Sequence, residues 1–104
     1  MTVVVTAVFH PLPGRKDDLV AAMQTGIEAV HREDDGCQLY AIHDAEDGTI
    51  TMIEKWSSPE ALAAHARGAA VGILNGDVEA LLASPTVVTR MTPIPRGTDA
   101  QGRL

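Results

Sequence analysis

The chain has 104 residues, 45% hydrophobic and 21% charged, the size and composition of one globular domain with its own core. Its net charge is −6 and its aromatics are only Phe9, Tyr40 and Trp56, so a nucleic-acid surface, with its basic footprint and stacking platforms, is excluded. An anionic membrane would repel the chain, which leaves small molecules and proteins as partners.

VVVTAVF at 3–9 is β-branched and aromatic and predicts a strand, followed by a turn at PLPG (11–14). Leu19, Val20, Met23, Ile27 and Val30 recur at helical spacing from about Lys16 to Glu33, with Asp17 and Asp18 in the first turn and Gly36 as a stop. CQLYAIH (37–43) and TITMIEKW (49–56) predict a hairpin around the acidic turn DAEDG. A helix then opens at either Ser57, in a capping box with Glu60, or Ser58, with Pro59 as first helical residue. It runs to about Arg67, where Gly68 is a candidate break, and a further helical run reaches Leu82. A last strand lies within 85–94, and residues 95–104 form a polar tail without periodicity, expected to be mobile unless a partner holds it.

The order β-α-β-β-α-β predicts an α+β, ferredoxin-like domain over residues 1–94: a four-stranded antiparallel sheet with helices on one face. Val3, Val5, Ala7 and Phe9 fall on one side of the first strand, Val4 and Val8 on the other. Helices can cover only one of these apolar faces. A symmetric homodimer, face against face, is the expected cover for the other.

The first strand closed by Pro13-Gly14, the helix ending in Asp35-Gly36-Cys37 with Tyr40 in the next strand, and MIEKW followed by SPEALAAH carry a resemblance. Over about residues 2–94 the chain resembles the antibiotic biosynthesis monooxygenase family of dimeric α+β-barrel proteins. The resemblance implies a homodimer with a ligand cavity in each subunit, between sheet and helices. It also implies oxidation of phenolic or quinol-like compounds by O₂ without flavin, haem or metal, although other members degrade haem or act on small signalling metabolites. The second histidine that relatives often carry is Ala70 here. The first strand lacks the asparagine of haem-cleaving members, and Asn75 is the nearest polar candidate on the later helix.

Glu54 and Trp56, two apart on a strand, share a face with Met52. Among such neighbours Glu54 is either a desolvated carboxylate fit for acid–base work or the partner of a donor near the sheet edge. Trp56 is core or pocket wall. His65, near the end of its helix, either takes a phenolic proton or caps the last carbonyls. Tyr40 either offers its hydroxyl to a ligand or packs. Gly68, Gly72 and Gly76 form a stripe without side chains if the helix is continuous, with room for a ligand beside Gly72. His43 among Asp44, Glu46 and Asp47 reads as a solvated turn, with no metal-ligand spacing, and Cys37 lacks a basic partner that would activate its thiol.

The functional expectation is a cofactor-independent monooxygenase. His65 and Glu54 are its catalytic candidates, and Trp56, Met52, Tyr40, Gly72 and Asn75 its substrate-binding ones. A non-catalytic metabolite-binding or stress-response dimer, or a metabolite isomerase, is the alternative. The lone Cys37, the lack of a basic secretion-signal region and the lack of any apolar run near ~20 residues suggest a cytoplasmic setting.

Overall fold

The computed structural model describes all residues from Met1 to Leu104. The elements are β1 (Val3–Phe9), α1 (Lys16–Glu33), β2 (Cys37–Asp44), β3 (Ile50–Trp56), α2 (Pro59–Arg67), α3 (Ala69–Glu79), β4 (Val87–Met91) and the single turn α4 (Asp99–Gly102). The sheet is antiparallel with order β2-β3-β1-β4, the ferredoxin-like arrangement that the sequence predicts.

Register sorts the side chains. β1 pairs with β3 so that Val3 faces Trp56, Val5 faces Glu54, Ala7 faces Met52 and Phe9 faces Ile50. All eight are buried and point toward the helices. α1 presents Leu19, Met23, Ile27 and Val30 to this layer, the stripe that its 3.6-residue period requires. Gly26 lets α3 come close, since a Cβ there would stand 2.5 Å from the Leu74 side chain. The loop after α3 is strapped to the loop after β1 by Leu12 N–H to Leu81 O (2.8 Å) and Ala83 N–H to His10 O (2.7 Å).

α1 packs over β2, α3 packs on α1, and β4 stays at the edge with every residue exposed. Val88, beside Ala7 on the helix side, is 63% exposed, so the helices leave the β1–β4 end of this face open. On the opposite face Val4, Val8, Leu39, Ala41, Ile53, Val87 and Met91 form an apolar surface with no helix over it.

The open choices at the second helix close. Ser58, not Ser57, is the cap: its Oγ accepts from Ala61 N–H at 3.1 Å, with Pro59 first in the helix. Gly68, in extended conformation, divides α2 from α3, so the three spaced glycines do not share one helix. Gly97, at φ +75°, turns the chain back, and Gly102 N–H reaches Thr98 O at 2.7 Å, which closes the α4 turn. No helix is long and apolar enough to cross a membrane.

Candidate functional site

The open end of the helix-side face is a cavity of about 590 Å³, within the range of small-molecule sites. Val5, Ala7 and Phe9 of β1 and Val88 of β4 form its sheet wall. Leu62, His65 and Ala66 of α2 and Val71, Leu74, Asn75, Gly76, Val78 and Glu79 of α3 form its helical wall. Tyr40 and Glu54 line it from β2 and β3. No lysine or arginine lines it, while two carboxylates do.

The polar end follows from strand register. Tyr40 is the direct cross-strand neighbour of Glu54, with Val5 on its other side. All three side chains are buried. The Glu54 carboxylate accepts a hydrogen bond from Trp56 Nε1–H at 2.9 Å, as two residues on one face of a strand allow. Burial pushes the Glu54 carboxyl above the usual glutamate range, opposed by this hydrogen bond and by nearby His65. Burial foremost, then the Glu54 charge, pushes the Tyr40 phenol far up, so it remains a neutral donor.

His65 is 5% exposed and sits among aromatic rings. Its centroid lies 4.4 Å from Trp56, tilted by 34°, and 5.2 Å from Tyr40, edge-on. Its Nδ1 meets Asp34 Oδ2 at 2.5 Å. The sequence reading missed Asp34. The signal for it was indirect: Cys37 pairs with Trp56, so the turn before β2 must lie beside the start of α2. Gly36 makes the contact close. It has φ +82°, and a Cβ there would meet Ser57 Oγ at 2.6 Å and Ala61 Cβ at 2.7 Å, so only glycine fits.

The structure thus brings His65, Glu54, Tyr40 and Asn75 to the lining of one cavity. It places three other expected contacts elsewhere. Trp56, 0% exposed, stands behind the wall, where it holds Glu54 and flanks His65. Met52 is core, enclosed because its face is covered by α1 and the neighbouring strands. Gly72 is exposed and does not line the cavity, whereas Gly76, one turn further along the same helix, does. His43 is exposed and bonded to Thr51 O, and no three His, Cys, Asp or Glu side chains converge as metal ligands would. Burial, then the charges of Asp34 and Glu54, raise the Cys37 thiol, the opposite of activation.

Residues 2–72 match the family model described as antibiotic biosynthesis monooxygenase. The chain belongs to this family. Among solved structures it is similar to Rv0793 from Mycobacterium tuberculosis, with 28% identity and a TM-score of 0.84 over 94% of this chain and 100% of that one. It also resembles a Caulobacter crescentus protein described under the same family name (17% identity, TM-score 0.81, 89% and 90% covered). A third is SO0527 from Shewanella oneidensis (24% identity, TM-score 0.77, 86% and 88% covered). No curated protein matches. The family's name is that of monooxygenases.

Proposed function

We propose that this protein is a cofactor-independent monooxygenase that uses O₂ to oxidise a small, uncharged aromatic compound of the phenol or quinol type. The observation that carries this reading is the cavity itself: an aliphatic wall for a flat apolar ring, ending in Tyr40, Glu54 and His65. A lining without lysine or arginine favours a substrate without carboxylate or phosphate.

A phenol or quinol enters with its hydroxyl toward the polar end. His65 or Glu54 takes the hydroxyl proton, and the electron pair stays on the oxygen. The electron-rich anion gives one electron to O₂, and the substrate radical and superoxide recombine into a C–O bond. Loss of water then leaves a carbonyl. One oxygen atom ends in the product and the other in water, and the substrate supplies all the electrons. The protein contributes deprotonation, a neutral Tyr40 donor for the product oxygen and exclusion of water.

A homodimer belongs to the same proposal. It is supported by the uncovered apolar sheet face, on which Val87 and Met91 are 55% and 39% exposed.

The test is O₂ uptake by metal-free, flavin-free protein with a panel of hydroquinones and polycyclic phenols, beside His65→Ala and Glu54→Gln. One O₂ consumed per oxygenated product, with rates falling in the variants, supports the reading. Rates equal to autoxidation refute it for that panel. Ligand-induced stabilisation without product would make the protein a binder, and product without O₂ consumption an isomerase.

A further inference from the structure

The mechanism above leaves two candidate bases and gives Asp34 no task. We propose that Asp34 is a positioning residue that holds a proton of His65 on Nδ1, so that Nε2 is the atom that faces the cavity and exchanges a proton with the substrate. This rests on reading the cavity as the substrate site.

A carboxylate only accepts hydrogen bonds, so at 2.5 Å from Asp34 Oδ2 the Nδ1 atom carries the hydrogen. The pair is sheltered, at 5% and 11% side-chain exposure. Nε2 has no protein partner, yet no buried side-chain nitrogen or oxygen is left unpaired. Nε2 is therefore open, and the open space that His65 borders is the cavity. Trp56 against the face of the ring and Tyr40 edge-on hinder a ring flip that would exchange the two nitrogens. The contact is also built into the backbone. Asp34 lies in the turn after α1, and Gly36 lets that turn close onto Ser57 and Ala61.

The groups that face His65 from other elements are few. β2 contributes Tyr40, β3 contributes Glu54 and Trp56, and the α1–β2 turn contributes Asp34, with Cys37 beside it. None but Asp34 makes a hydrogen bond to the imidazole. Glu54 has a different tether, to Trp56. The two candidates thus separate by role. His65 Nε2 accepts the hydroxyl proton, and the imidazolium that results lies between two carboxylates that stabilise it, as an aspartate does behind a catalytic histidine elsewhere.

The experiment is nitrogen-15 NMR of the four histidines, with His65 assigned by its loss in His65→Gln. At a pH where the ring is neutral, the expected wild-type result is the tautomer with its proton on Nδ1. In Asp34→Asn the side-chain amide can donate as well as accept, and the expected result is a shift toward the Nε2-protonated form. An Nε2-protonated or evenly mixed ring in the wild type overturns the proposal, as does a ring unchanged by Asp34→Asn. This arm needs no substrate, so it decides the tautomer even if the oxygen assay refutes the monooxygenase reading. Where turnover is present, Asp34→Asn is expected to lower kcat about a hundredfold, the scale of general-base loss, with partial recovery in Asp34→Glu. Equal rates in wild type and Asp34→Asn overturn it.

Discussion

Trp56→Phe separates the two tasks of the indole, filling the core and holding Glu54. The phenyl ring keeps most of the packing and loses the Nε1–H that reaches the carboxylate at 2.9 Å. A hydrogen bond to a charged acceptor contributes about 1.5–3 kcal/mol net, and one between neutral groups about 1 kcal/mol. The smaller ring leaves a void of at least methyl size in a site with 0% exposure, which costs about 1 kcal/mol more. The expected destabilisation is therefore about 2.5–4 kcal/mol where Glu54 is charged, and about 2 kcal/mol at low pH, where it is not. The sign follows from linkage. Burial already raises the Glu54 carboxyl above its unfolded value, so the native state holds the proton more tightly and loses stability as pH rises through that interval. Trp56 favours the charged form and limits the loss. Without it the Glu54 midpoint rises further, by roughly one pH unit for each 1.36 kcal/mol of lost preference for the charged form. Urea denaturation at pH 7 and below the ordinary glutamate range, with a carbon-13 carboxyl titration of Glu54, reads both quantities. An equal stability loss at the two pH values, or a Glu54 midpoint that stays put or falls, would refute this reasoning.

Gly36→Ala is expected to destabilise by about 2–4 kcal/mol, because it adds a left-handed backbone penalty to an overpacked contact with Ser57 and Ala61. Denaturation midpoints measure the loss, and the His65 NMR signals should move with Asp34. A folded variant with wild-type midpoint and spectrum contradicts the close approach. Tyr40 is the only tyrosine, so phenolate absorbance reports on it alone. Its phenol is raised by burial, the native state keeps the proton, and stability is lost as pH rises beyond the ordinary tyrosine range. Phenolate is therefore expected to appear together with unfolding, and a reversible titration near the ordinary value in folded protein would count against this. Ile53→Glu places a charge in the open apolar sheet face, away from the cavity. It is expected to yield monomers by light scattering with the monomer fold retained by circular dichroism; unchanged assembly would remove this face as the interface.

The fold was legible because its signals are local and repeated. α1 shows its buried stripe at helical spacing, and the alternation of β1 and β3 states which side chains share a face. From that alternation Glu54 and Trp56 were placed together. What they do to each other was not legible, since indole donor and carboxylate are equally consistent with two separate partners. Trp56 behind the wall rather than on it depends on how far α2 leans over β3, a packing distance that no spacing encodes. Asp34 was hidden for another reason. It is 31 residues from His65, and its contact exists only because Gly36 lets two turns touch. Gly72 and Gly76 lie one turn apart on the same helix, and only the second reaches the cavity, a difference in position along α3 that the four-residue spacing does not encode.

The break at Gly68 partitions the molecule's capacity to change. Asp34, Tyr40, Glu54 and His65 all precede it, within the residues 2–72 that match the family. Asn75, Gly76, Glu79, Thr86 and Val88 follow it, beyond the matched stretch, and shape the rest of the same cavity. The residues proposed to handle the proton thus all lie in the matched length of chain, while the wall that would fit a ligand is shared, with Val5, Ala7 and Phe9 before the break and Asn75, Gly76 and Val88 after it. A graft of residues 73–94 from a relative would alter which molecule is admitted and leave the imidazole and its carboxylates where they are.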